Sequence, residues 1–187
     1  RMTMSETYKT TAIDLIAGLA ATTPNLQSVT YYQGQKGDEV SDYSHNYQTG
    51  TSTVKSTSVF VYGTGLVRAI SAGIDVAMSR SLSYKTIDGT VLAPAATTAF
   101  YVDSAIQEVA GLQSETYYYG EVKGEEIANF AYNMYLGTSQ VRNVSVYYYE
   151  GKRADAGATT DDRMTMSETY KTTAIDLIAG LAATTPN

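Results

Sequence analysis

The sequence predicts a mainly β fold, an antiparallel barrel or sandwich built from two diverged half-repeats with short helical connections. Three observations predict it. Short runs rich in Tyr, Val, Thr and Ser recur between glycines, the pattern of strands bounded by turns. The 17 Tyr against 3 Phe and no Trp, together with abundant Thr and Ser, weight the composition toward strand. Finally, the strand and turn signals of residues 26–111 return in register in residues 112–187.

A longer repeat encloses that one. Arg1–Asn25, RMTMSETYKTTAIDLIAGLAATTPN, recurs letter for letter as Arg163–Asn187. An offset of about 162 residues is the signature of a tandem array, and the chain is expected to be one period plus the beginning of the next. A period of that size is long enough to bury its own core. Residues 1–25 are therefore read as the start of a unit, duplicate of 163–187 and candidate exchanged segment. Residues 26–111 and 112–187 form the first and second β half-repeats.

Each element has a counterpart half a period on. Strands are expected at Gln27–Gln33, Val40–Gln48, Thr53–Tyr62 and Ala77–Ile87, and again at Gln113–Tyr119, Ile127–Leu136, Gln140–Tyr149 and Met164–Thr172. Gly34-Gln35-Lys36-Gly37 and Gly120-Glu121-Val122-Lys123-Gly124 read as hairpin turns. Apolar residues Ala174, Ile175, Leu177, Ile178 and Leu181 fall at helical spacing behind Thr172 and Thr173, which predicts a short helix or an apolar loop at 174–183 and at its copy, 12–21. Leu66–Met78 reads as a second helix.

Charge and composition exclude several classes. A net charge of −6 and a pI near 4.7 oppose a nucleic-acid partner, which demands basic patches. No apolar run reaches the length of a membrane span. Without cysteine there is no disulfide framework and no thiolate metal site.

The candidate chemical motifs read as structure, so no enzyme, no cofactor and no metal site is expected. Gly63-Thr64-Gly65 lacks the third glycine of a dinucleotide-binding turn. The adjacent carboxylates Asp38/Glu39, Glu125/Glu126 and Asp161/Asp162 point to opposite faces of an extended chain and read as solvated turn charges. His45, the one histidine, has Tyr132 as its counterpart and no nucleophile elbow near it. Asn143-Val144-Ser145 fits the glycosylation sequon.

The tyrosines carry more information. Alternation in Val144–Tyr149 sends Val144, Val146 and Tyr148 to one face and Ser145, Tyr147 and Tyr149 to the other, so both faces of the sheet should carry rings. Tyr31, Tyr32, Tyr117, Tyr118, Tyr119, Tyr147, Tyr148 and Tyr149 are the candidates for contact between units, or for stacking on sugars. The motifs Tyr-Tyr-x-Gly, Lys-Gly-acid-Glu and Tyr147–Ala154, which together span most of both halves, resemble the tandem repeats of very large surface or filament proteins from environmental bacteria. That resemblance implies a β-rich extracellular array.

The expected function is thus a structural repeat unit of an extracellular filament or cell-surface stalk, its partners identical units joined head to tail by strand exchange or sheet packing. An adhesin or glycan-binding repeat using surface tyrosines is the alternative.

Overall fold

The computed structural model describes residues 1–9, 25–95 and 97–178. Nine strands form one antiparallel sheet. They are β1 (Met4–Tyr8), β2 (Leu26–Gln33), β3 (Val40–Tyr47), β4 (Val54–Tyr62), β5 (Met78–Lys85), β8 (Leu112–Tyr119), β9 (Ile127–Met134), β10 (Val141–Tyr149) and β11 (Met164–Tyr170). The pairing follows the chain from β1 to β11 without a crossover, and the two-residue strands β6 (Tyr101–Val102) and β7 (Ala105–Ile106) make a small separate hairpin between β5 and β8.

All eight strands expected from the sequence form, within two residues of their expected ends. The helical expectations fare differently. Residues 66–77 run through turns rather than a helix, because Val67 pairs back on Tyr62 and Val76 on Val122 in isolated bridges with Gly73 between them, and Met78 already opens β5. Within 174–183 the described part holds a single 3-10 turn, Ile175–Leu177. Its copy, 12–21, lies outside the described residues, as does 179–183.

The sheet does not close. Its order ends on β1 at one side and β11 at the other, which corrects the barrel expectation. The reason lies on the core face, where Val59, Val61, Leu82, Tyr84 and Leu112 pack against Phe100, Tyr101 and Leu92 from the segment between β5 and β8. Phe130, Val144 and Val146 pack there against Ile175 and Ile178 from the segment after β11. These covering segments occupy the side that a closed barrel of eight strands would have to fill with strand side chains alone.

The opposite face carries rows of short polar side chains, with Tyr32 and Tyr118 reaching over them to Ser5 and Ser81. Adjacent-strand partners read Ser5, Thr30, Ser44, Ser58, Ser83, Ser114, Asn133 and Asn143 in one row across the sheet. Neighbours in this carpet bond each other, Thr30 Oγ1 donating to Ser44 Oγ at 3.1 Å and Asn133 Nδ2 to Asn143 Oδ1 at 2.7 Å. Short hydroxyl and amide groups suit such rows, since cross-strand pairs are the unit of sheet stabilisation.

The two runs β2–β5 and β8–β11 share one locking device. A bulge in β3 turns Asp42 inward, where the Arg68 guanidinium grips it with two bonds of 2.7 Å; both groups are buried. The corresponding positions hold Arg153 and Asn129, joined at 3.2 Å, with Asp155 2.9 Å from Arg153. Removing one partner of a buried ion pair strands the other charge, at a cost of about 3–5 kcal/mol. Asp42→Ala should therefore lower unfolding free energy by about that amount in urea titration, while Asp42→Asn, which recreates the second run's pairing, should cost visibly less; equal losses would show that the charge pair is not what holds Arg68.

Candidate inter-unit edges

The two outer strands are copies of one sequence. β1 is Met4-Ser5-Glu6-Thr7-Tyr8, and the last five residues of β11 are Met166-Ser167-Glu168-Thr169-Tyr170. Both edges leave the same apolar side chains uncovered, with Met2 and Met4 at 47% and 45% exposure and Met164 and Met166 at 50% and 47%.

Yet the two copies spend opposite halves of their backbone hydrogen-bonding groups. In β1 the odd residues face the sheet, as Tyr32 N–H donates to the Thr3 carbonyl at 3.0 Å and Lys9 N–H to the Asn25 carbonyl at 2.8 Å. Met4, Glu6 and Tyr8 therefore turn their main-chain groups outward. In β11, Glu150 N–H donates to the Arg163 carbonyl at 3.2 Å. A bulge follows at Thr165, so Met166, Glu168 and Tyr170 face β10 and the main-chain groups of Ser167 and Thr169 turn outward.

An interior strand shows both sets in use at once. β5 pairs with β4 in the register Tyr62↔Met78, Val61↔Arg80, Phe60↔Ser81 and Val59↔Leu82. The β10·β11 pair reads Tyr149↔Met164, Tyr148↔Met166, Tyr147↔Ser167 and Val146↔Glu168, position for position the same. On its other side β5 pairs with β8 as Arg80↔Tyr117, Ser81↔Thr116, Leu82↔Glu115, Ser83↔Ser114 and Tyr84↔Leu112. The β1·β2 pair reads Met4↔Tyr31, Ser5↔Thr30, Glu6↔Val29, Thr7↔Ser28 and Tyr8↔Leu26, again the same, each ladder carrying its bulge at the same step.

The turn carboxylates extend this likeness. Glu126, from the β8–β9 turn, accepts the Met78 N–H at 2.7 Å and the Gly124 N–H at 2.8 Å. Glu39, from the β2–β3 turn, accepts the Met2 N–H at 2.7 Å and the Gly37 N–H at 3.0 Å. The reading of these pairs as solvated charges is thus corrected for one member of each: Glu39 and Glu126 clamp the start of the adjacent strand. The bond from the Met2 amide chiefly holds the Glu39 carboxyl below its ordinary value of 4.5.

The structure distributes the candidate tyrosines unevenly. Tyr31 and Tyr32 on β2, and Tyr147 and Tyr148 on β10, flank the two outer strands. Tyr31 lies opposite Met4 and stacks on Tyr43 at 4.5 Å, while the Tyr32 hydroxyl lies 3.0 Å from Ser5 Oγ. Tyr148 donates to Glu168 at 3.0 Å, and Tyr170 donates to the same carboxylate oxygen; the Glu168 bond keeps the Tyr170 hydroxyl well above the ordinary tyrosine range. Tyr117, Tyr118 and Tyr119 sit on the inner strand β8. Tyr117 stacks on Phe130 at 4.5 Å beneath the Arg80 guanidinium, 4.4 Å from its ring. Tyr149 is buried, its hydroxyl donating to the Ala128 carbonyl at 2.8 Å.

His45 is buried, and burial lowers its pKa. Its Nδ1 lies 3.0 Å from Thr57 Oγ1, whose one proton goes to the Leu92 carbonyl at 3.0 Å; Nδ1 therefore carries the proton and donates. Asn143 lies within β10, its side-chain oxygen held by Asn133. Among the described residues no group of three or more His, Asp or Glu gathers that could hold a metal ion, and no helix is long and apolar enough to cross a membrane.

Comparison with known proteins finds no match among family models, curated proteins or solved structures.

Because the folded pKa of Glu39 is depressed, its contribution is present above the ordinary carboxylate value and is lost as pH falls through the folded value. Hydrogen-exchange protection of the β1 amides that face β2, Ser5 and Thr7, should therefore drop as pH falls below the ordinary carboxylate range, before that of β4. Glu39→Gln should remove the difference; retention of the pH step in that variant would mean that another group drives it.

Proposed function

We propose that this chain is the structural repeat unit of an extracellular filament or cell-surface stalk, its partners being further copies of the same unit. The observation that carries the reading is the occurrence of one strand sequence at both edges of one sheet. An exposed edge invites pairing with another chain, and proteins that stay solitary blunt it with proline, inward charge or a covering loop. Here the outward edges carry two half-exposed methionines each. Their backbone groups are complementary in register, which fits units meeting head to tail by strand pairing.

Electron micrographs of the native extracellular material, labelled with an antibody to residues 26–111, should show label at a regular axial interval along filaments. Label confined to dispersed compact particles would overturn the structural role.

One observation favours the alternative, an adhesin or glycan-binding repeat. Tyr118 and Tyr119 line a surface cleft of about 410 Å³ together with Asp75, Met78 and Glu121, a setting in which a ring can stack on a sugar while the carboxylates take its hydroxyls. Glycan-array binding that disappears in Tyr119→Ala would establish it, and a blank array would leave the cleft as a seam between turns.

A further inference from the structure

We infer that adjacent units do not exchange strands but share one: the Met-Ser-Glu-Thr-Tyr segment is at once the last strand of one unit and the first strand of the next. This rests on the repeat reading above and names its joint. In the repeat reading the segment occurs once per period, so each joint holds a single copy that β10 of one unit and β2 of the next both require. Sharing uses a single copy, with both of its hydrogen-bonding edges filled.

Three independent features of the fold specify the joint. The first is backbone complementarity. The segment at β11 spends Met166, Glu168 and Tyr170 on β10 and leaves Ser167 and Thr169 outward, while at β1 the equivalents of those two, Ser5 and Thr7, face β2. Superposing the two copies satisfies every main-chain group of the strand, once each.

The second is the interior precedent. β5 stands between β4 and β8 in the register that β11 has with β10 and β1 has with β2. The joint between units therefore repeats a joint already built inside each unit. Its two sides carry the same bulges, so the strand enters and leaves at the same angle.

The third is the clamp. Glu126 holds the amide of Met78 at 2.7 Å, and Glu39 holds that of Met2 at 2.7 Å. Met164 has the same sequence as Met2 and the same register on β10 as Met78 on β4. The Glu39 of the following unit is placed to take its N–H. The methionines exposed at each edge then become interior, opposite Tyr148 on one side and Tyr31 on the other.

Side chains at the two kinds of joint differ. Between the halves, Arg80 pairs with Glu115 at 2.8 Å, and Tyr101 donates to the same oxygen at 2.6 Å. At the shared strand, Met4 stands for Arg80, Glu6 for Leu82 and Val29 for Glu115. The acid has moved onto the shared strand itself, where Tyr8 or Tyr170 from the same strand, and Tyr148 from β10, bond it.

The array that results is a ribbon with strands across its long axis. It gains eight new strands per period, a rise of about 38 Å at about 4.8 Å per strand.

The test compares the present chain with one carrying two consecutive periods, by amide hydrogen exchange resolved by residue. In the single chain Met166, Glu168 and Tyr170 should be protected and Ser167 and Thr169 open. In the double chain the amides of Ser167 and Thr169 at the inner copy should slow by about two orders of magnitude. Fast exchange there in both chains would refute the shared strand. So would slow exchange accompanied by release of Ser5 and Thr7, which would mean that β11 had turned back onto β2 of its own unit.

Ser167→Pro supplies a second arm, since proline is tolerated where an edge N–H faces solvent and not where it bonds a neighbour. It should leave the thermal midpoint of the single chain nearly unchanged and lower that of the double chain; equal shifts in both would count against the joint. Protection at the inner copy without filaments in the native material would retain the joint and reject the structural role.

Discussion

Everything in this molecule depends on one requirement of the extended backbone, that each main-chain N–H and C=O across the sheet find a partner. Among the described residues a meander of nine antiparallel strands leaves two unpaired edges, the outward sides of β1 and β11. Those edges are where the sequence repeats itself. The two edge strands are identical in sequence, so whatever β10 requires of its neighbour and whatever β2 requires are written into the same five residues.

The same economy operates at half the period. β2–β5 and β8–β11 use equivalent registers, equivalent bulges and an equivalent arginine, Arg68 or Arg153, reaching from a loop to the inward-turned residue of the second strand. Aromatic groups repeat as well: Tyr31, Tyr43 and His45 in the first half correspond to Tyr117, Phe130 and Tyr132 in the second, in the same stacked and edge-on arrangement. Divergence is concentrated where the halves meet different neighbours. The Arg80–Glu115 pair marks the junction covered by Tyr101, and Ile175 and Ile178 mark the core roofed by the segment that follows β11.

Much of this architecture is legible in the amino-acid sequence. Alternation in runs such as Val144–Tyr149 locates every long strand, and glycine pairs locate the turns, because both signals are local and physically direct. The placement of rings on both faces also follows from alternation. Features that depend on a partner distant in sequence are not legible. The bulge at Asp42 reverses the inside and outside of what precedes it, and nothing in Ser41-Asp42-Tyr43 announces that Arg68 waits opposite. Glu39 and Glu126 look like surface turn charges because the amides they accept, those of Met2 and Met78, lie 37 and 48 residues away. A usable signal does exist: Lys-Gly-acid-Glu follows Tyr-Tyr-x-Gly in both halves although the second turn is one residue longer, so the second acid keeps its place just before the next strand, Glu39 before Val40 and Glu126 before Ile127. The polar carpet can be found too, from the Ser/Thr periodicity of Ser56–Ser58 and Ser81–Ser83 set against the bulky residues between.

The duplicated strand poses a competition that the fold has to resolve. Since β11 has the sequence of β1, it could in principle displace β1 from β2 of its own chain and close eight strands into a barrel. Two faces are available for the inside of such a barrel. If the core face turned inward, an eight-stranded interior, just wide enough for its own side chains, would have to admit Phe100, Tyr101, Leu92, Ile175 and Ile178 as well. If the polar face turned inward, rows of Ser, Thr and Asn would leave water for a narrow lumen, and the apolar core would still need its cover outside. Both closures are opposed by the segments that roof the sheet. A sheet with a bulky roof on one side and a hydrogen-bonded carpet on the other is kept open, with copies of one strand at its two edges.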